Sequence, residues 1–259
     1  MTLQQARILV TREKEQGKTF SEKIRAHGGL PIEVPLLQIS CEASRENERR
    51  LRQLAAYEWI FFTSANGVKH FYELIELYHI PASSFGHVKI AVVGHKTEKS
   101  LRKYGGRRAD FIPTIYDADH MAEQFLDRFK ISGKALLVRG NLSRMILPKQ
   151  LAKKKVAYDM LEVYETIAAD RSKALLNDIL QHKPIDFLTF TSPSAVAAYE
   201  KLADEPLRQN INATCVCIGN TTRQKALSAG FRDVLVPSEY TIEGMIACME
   251  DYHEKRNDI

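Results

Sequence analysis

Short runs of consecutive apolar residues recur along the chain, and between them apolar positions return every three or four residues. The runs predict strands at Arg7–Thr11, Pro31–Ile39, Trp59–Thr63, Lys89–Val93, Phe111–Pro113, Ala135–Val138, Val156–Thr166, Phe187–Thr191, Thr214–Ile218 and Asp233–Val236. Several are apolar without alternation, as expected of parallel strands covered on both faces. The segments Val68–Tyr78, Met121–Phe129 and Pro193–Leu202 carry helical periodicity. Strands alternating with helices of this length predict an α/β chain with parallel sheets. Pro31–Ile39 and Val156–Thr166 are longer than a typical buried strand, and Pro35 marks a break in the first. Neither is Gly/Ser-rich, so both are expected to act as semi-rigid linker strands and to form a hinge.

The pattern also repeats. FTSANGVKHF (62–71) aligns with FTSPSAVAAY (190–199), and VVGHKTEKSLRKYGG (92–106) with CIGNTTRQKALSAGF (217–231). Pro113, Tyr116 and Met121 then align with Pro237, Tyr240 and Met245. These matches are collinear, and their period is too long for a solenoid, so two similar domains are expected.

Composition narrows the function. The 259 residues are 44% hydrophobic and 27% charged, enough apolar content for a sizeable core. No apolar run is long enough to span a bilayer. The opening MTLQQARILVTRE lacks the pattern of a signal peptide, and a cytoplasmic location is expected. The net charge is +5, with basic residues spread evenly, which disfavours nucleic acid and suits a small anionic ligand. Cys41, Cys215, Cys217 and Cys248 form no CxxC pair. Cys215 and Cys217 share one face of a predicted strand and read as core thiols rather than metal ligands.

Candidate chemistry lies at strand ends. Thr63-Ser64 and Thr191-Ser192 each close a strand and open a helix. A serine there caps the helix, and Pro193 suits its first position. The same helix N-terminus, with free N–H groups, could hold a carboxylate or phosphate. Gly94…Thr97 and Gly219…Thr222 follow two further strands and allow the same two readings. Each domain would then carry two anion sites of one design, placed where open α/β sheets bind ligands. GxGxxG, GxxxxGK[ST], nucleophile-elbow and HExxH patterns are all missing, and no paired carboxylates or placed histidines suggest acid–base chemistry.

The ordered set ILVTRE, TSANGV, VVGHKT, PTIYDADHMAEQF, LLVRGN, VYET, TSPSAV, CIGNTT and VPSEYTIEGM resembles the uroporphyrinogen-III synthase family of the tetrapyrrole pathway over nearly the whole chain. The resemblance implies two flavodoxin-like domains joined by a two-strand connector. They would comprise residues 1–35 with 168–259, and 40–162, with 36–39 and 163–167 as connector. It implies closure of linear hydroxymethylbilane to uroporphyrinogen III, with ring D inverted and water lost, by a cytoplasmic monomer needing no cofactor and no metal. Hydroxymethylbilane is the expected small-molecule partner and the preceding pathway enzyme a candidate one; neither nucleic acid nor membrane is expected.

Carried over residue by residue, Tyr164 in VYET is the implied proton donor, or else a packing tyrosine of the connector. Thr97 and Thr222 match family cleft threonines, and substrate contacts are expected at the strand-end positions Thr11, Thr63, Ser64, Gly94, Thr191, Ser192 and Gly219. Arg12 and Arg139 follow strands and read either as carboxylate-steering groups or as surface arginines. Tyr116 and Tyr240 would line the rim. The chain departs from the commoner family pattern at Asn66-Gly67, which affects side-chain roles in the first TS loop but not its backbone role. A two-lobed, non-catalytic binder of tetrapyrroles or other polyanions would share most of these features, and a nucleotide-dependent enzyme of flavodoxin-like fold is a second rival. Resolving the type I and type III products separates the first, and absorbance of the purified protein the second.

Overall fold

The computed structural model describes residues 3–209 and 212–257. Its ten strands are β1 (Arg7–Val10), β2 (Leu30–Glu33), β3 (Leu37–Cys41), β4 (Tyr57–Phe62), β5 (Lys89–Val92), β6 (Lys134–Gly140), β7 (Tyr158–Ala168), β8 (Phe187–Phe190), β9 (Thr214–Cys217) and β10 (Val234–Leu235). The helices are α1 (Lys14–Ala26), α2 (Arg45–Leu51), α3 (Ala65–Leu77), α4 (His95–Gly105), α5 (Ala118–Arg128), α6 (Ile146–Lys153), α7 (Lys173–His182), α8 (Pro193–Leu202), α9 (Glu205–Gln209), α10 (Asn220–Ser228) and α11 (Ile242–Asn257).

The chain divides into two compact units, residues 1–38 with 167–259, and 39–166. Both crossings fall inside strands, β3 and β7. The first unit holds a sheet of order β10-β9-β8-β1-β2. Counted along the unit's own strands this is 2-1-3-4-5, the flavodoxin-like doubly wound order. The second holds β3-β7-β6-β4-β5, with one further bridge from Ala91 to Phe111. The ladders β1·β2, β1·β8, β8·β9, β9·β10, β4·β5, β4·β6 and β6·β7 are all parallel. The expected α/β class with parallel sheets is what the chain forms.

The unbroken apolar runs follow from burial on both faces. In β4, Ile60 and Phe62 pack with Val68, Phe71 and Leu74 of α3. Trp59 and Phe61, one residue out of phase, pack with Phe125 of α5 and Leu147 and Leu151 of α6. Strand β8 divides likewise: Leu188 and Phe190 face α7 and α8, and Phe187 faces α1 and α11. Truncating a buried phenylalanine of this kind to alanine costs about 3–5 kcal/mol.

Two predicted strands differ in form. Pro31–Ile39 is two strands, β2 and β3, separated at Val34-Pro35-Leu36. Pro35 has no N–H to continue a ladder. Its carbonyl instead accepts from Ser172 Oγ at 2.7 Å. Phe111–Pro113 reduces to the single bridge at Phe111, since Pro113 stops further pairing on that edge.

The topology fixes where a ligand can go. Chain order reverses between β1 and β8 in the first unit and between β6 and β4 in the second. Such a switch point opens a crevice at the carboxyl ends of the flanking strands. Thr11-Arg12 and Thr191-Ser192 stand at one; Arg139-Gly140 and Thr63-Ser64 stand at the other.

Candidate active site

The switch point of the second unit carries a cavity of about 310 Å³, lined by Thr63, Ser64, Arg139, Arg144, Tyr164 and Thr166 together with apolar side chains such as Leu142 and Leu147. A few polar groups set in an apolar lining is the usual composition of a ligand pocket.

Ser64 caps α3. Its backbone is extended (φ −156°, ψ 154°), and its Oγ accepts from Gly67 N–H at 2.9 Å. The same Oγ lies 3.2 Å from the Tyr164 hydroxyl, and either group can donate. When Ser64 donates to the phenol oxygen, the phenolic proton is left to point elsewhere.

Tyr164 owes its position to a bulge. Arg139 pairs with Glu162, and the next residue, Gly140, pairs with Tyr164, so Val163 is passed over. The ring lies on Gly140, and a Cβ there would fall among the ring's own atoms. Asn141 N–H donates to Tyr164 O at 3.2 Å, and Thr166 N–H donates to Asn141 Oδ1 at 2.9 Å, pinning the loop to β7. The His70 ring packs near the phenol, with centroids 5.6 Å apart and the planes tilted by 35°.

The two arginines of the pocket differ. Arg139 is buried, with donors committed to Ser143 O at 2.6 Å and Met145 Sδ at 2.8 Å, and Glu162 3.5 Å away. It holds the loop that follows β6. Arg144 is exposed, lines the cavity, and makes no ion pair among the described residues. Sequence reasoning passed over Arg144; the signal was a second arginine five residues after Arg139 in the same strand-end loop.

The first unit keeps the backbone pattern with different partners. Ser192 caps α8, its Oγ accepting from Ala195 N–H at 3.2 Å and lying 2.9 Å from Ser194 Oγ. Asn66-Gly67 therefore does not disturb the cap, because Gly67 supplies the N–H that Ala195 supplies here. Thr191 is half-buried beside it. Thr11 is 1% exposed, and its Oγ1 donates to Thr189 O at 2.6 Å, while Thr189 Oγ1 donates to Leu9 O at 2.8 Å. The Thr11 hydroxyl thus clasps β1 to β8. Arg12 donates to Gln16 Oε1 at 2.8 Å, and burial pushes its guanidinium down from its ordinary value despite the charge of Glu13.

The two GxxT motifs are near copies. Gly94 and Gly219 are the N-cap residues of α4 and α10, and neither helix has a side-chain cap. Tyr116 and Tyr240 lie over them, each 56% exposed, so close that a Cβ on either glycine would touch the ring. Thr97 and Thr222 are each 3% exposed. Cys215 and Cys217 are fully buried thiols with Sγ atoms 3.8 Å apart, in the apolar packing the sequence suggested. Among the described residues no helix is long and apolar enough to cross a membrane.

A uroporphyrinogen-III synthase HemD family model matches residues 18–247. The porphyrin biosynthesis protein HemD of Ruminiclostridium josui is 30% identical over 242 residues, covering 93% of this chain and 47% of that protein. This chain thus spans about half the length of that relative. The uroporphyrinogen-III synthase of Synechococcus elongatus is 25% identical over 253 residues, covering 95% and 94% of the two chains. A solved mutant uroporphyrinogen III synthase of Thermus thermophilus shares the fold, with a TM-score of 0.59 at 16% identity, over 96% of this chain and 99% of that one. With the family model covering most of its length, the chain belongs to the uroporphyrinogen-III synthase HemD family, the cyclising hydro-lyases of porphyrin biosynthesis.

Proposed function

We propose that this chain closes linear hydroxymethylbilane to uroporphyrinogen III in the cytoplasm, and that Tyr164 assists departure of the hydroxyl. The observation that carries the residue assignment is the phenol lining the second unit's cavity within 3.2 Å of Ser64 Oγ.

Loss of the hydroxymethyl oxygen as water leaves an electrophilic azafulvene. The substituted carbon of ring D attacks it to form a spiro intermediate. That intermediate fragments and recloses with ring D turned over. Unassisted closure gives the type I isomer, so the protein's task is to make the spiro attack the near one. A phenol with an ordinary pKa near 10 is a weak acid, but it can donate a hydrogen bond that strengthens as the oxygen leaves. Ser64, by donating to the phenol oxygen, would turn the phenolic proton toward the leaving group.

The substrate's acetate and propionate groups are the handles. The uncapped helix starts after Gly94 and Gly219 and the N-termini capped by Ser64 and Ser192 present N–H groups to carboxylates. Arg144 adds a cation at the cavity and Thr63 lines it, while Thr191 follows β8 and Thr97 and Thr222 stand in the first turns of α4 and α10. Arg12 and Arg139 act through position, Arg139 by holding the 140–143 loop. Thr11 contributes through the sheet, its hydroxyl being taken up by Thr189 O rather than by substrate.

The test is to supply hydroxymethylbilane and resolve the products. Type III as the main product, at a rate above spontaneous closure, is the expected result. Type I alone would overturn the assignment.

A further inference from the structure

One cluster in the second unit has no part in the mechanism above. Cys41 ends β3, and His70 and Glu73 sit one turn apart on α3. One ligand atom from each, the thiol sulfur, a ring nitrogen and a carboxylate oxygen, lie within 4.8 Å of one another. Residues three apart on a helix share a face, so His70 and Glu73 project together. His70 is 6% exposed, and its Nδ1 is 2.6 Å from Glu73 Oε2, which sets the ring's orientation. Cys41 and Glu73 are half-buried and leave a path from solvent.

We propose that Cys41, His70 and Glu73 form a site for zinc or a similar borderline-soft divalent cation, with a fourth position open to water. Sulfur, imidazole and carboxylate are the donor types zinc accepts at about 2.0–2.3 Å. Binding requires the thiolate, so the Cys41 proton leaves to solvent as the sulfur–metal bond forms. Thiolate and carboxylate together balance the two positive charges, with His70 neutral. The His70–Glu73 hydrogen bond gives way to metal bonds, and Lys69, 3.7 Å from Glu73, gives up its ion pair. The ligand atoms need move only by an ångström or so.

The site adjoins the proposed chemistry, because the His70 ring packs on Tyr164. An occupied site would fix that ring and lower turnover. This consequence rests on the proposed role of Tyr164; metal binding itself does not.

The test is titration of the full chain with Co²⁺ under a non-chelating reductant, read by absorbance. The expected result is a thiolate-to-cobalt charge-transfer band with tetrahedral visible bands, saturating at one equivalent and displaced by Zn²⁺. Cys41→Ser should abolish the charge-transfer band. Glu73→Gln, on a half-exposed helix position, should weaken binding at least about 10-fold, and Cys248→Ser should change nothing. No band in the unaltered chain, or a band that persists in Cys41→Ser, would overturn the site. Zn²⁺ should also slow cyclisation in the unaltered chain and not in Cys41→Ser. One-equivalent binding without such inhibition would uphold the site and overturn its coupling to Tyr164.

Discussion

The two units use one switch-point design, yet their strand ends differ in a way that register makes visible. Val10 pairs with Thr189, and Leu137 pairs with Phe61. The repeat that matches Phe62 to Phe190 also matches Phe61 to Thr189. Leu137 therefore corresponds to Val10, Val138 to Thr11, and Arg139 to Arg12. In the first unit the pair Thr11 and Thr189 closes the sheet with two buried hydrogen bonds. In the second, Val138 and Phe61 fill the same places with apolar packing. The arginines that follow diverge too. Arg12 reaches Gln16 on α1, whereas Arg139 is buried and braces a loop whose Gly140 leaves room for Tyr164. A polar clasp serves one strand pair, and a bulge with a phenol serves the other. In the proposed mechanism the shared backbone would grip anions, and the divergence would supply the group that gives a proton.

Several substitutions probe that contrast. The largest effect is expected from Gly140→Ala. The new methyl overlaps the Tyr164 ring, and overpacking of this kind costs about 1–3 kcal/mol. A ring displaced by an ångström should lower turnover by about 100-fold. Steady-state cyclisation and thermal denaturation measure both, and a variant as active as the parent would show that ring placement is immaterial.

Arg144→Ala comes next. Removing an exposed cation from the cavity should leave the melting temperature within a degree or so but raise KM about 10-fold, the value of one charge-assisted hydrogen bond to a carboxylate. An unchanged KM would remove Arg144 from substrate binding.

Ser64→Ala and Ser192→Ala test the two caps directly. Each should lose about 1 kcal/mol in denaturant unfolding, because each removes one helix cap. Only Ser64→Ala should also slow turnover several-fold beyond its partner, since only Ser64 contacts the phenol. Equal kinetic losses would dissolve the distinction between the units. The smallest effect is expected from Thr11→Val, which installs in the first unit the side chain that the second carries at Val138. It should cost about 1 kcal/mol and leave kcat unchanged. A lost kcat would return the Thr11 hydroxyl to the substrate.

Much of the fold was legible because its strands are covered on both faces. WIFF (59–62) could be read as a strand without knowing its partners, since every residue in it is apolar. The duplicated TS and GxxT motifs marked the strand ends because a cap must stand next to the helix it opens. What escaped depends on contacts distant in sequence. Gly140 looks like an ordinary loop glycine until β7 brings Tyr164 onto it. Arg139 looked free in sequence, and only the loop carbonyl of Ser143 and the sulfur of Met145 show its donors to be committed. Thr11 carried no sign that Thr189, 178 residues away, takes its hydrogen bond. Cys41, His70 and Glu73 have no motif spacing, because β3 and α3 meet only in the folded unit.

In the proposed mechanism the phenol of Tyr164 assists departure of the hydroxyl while other groups set orientation. Tyr164→Phe, supplied with hydroxymethylbilane and assayed for rate and isomer ratio with folding checked by circular dichroism, tests it most directly. Losing one hydrogen bond that strengthens in the transition state should slow turnover about 10- to 100-fold, with type III still the main product and the fold unchanged. An unchanged rate would contradict the account and leave Tyr164 a packing residue of β7.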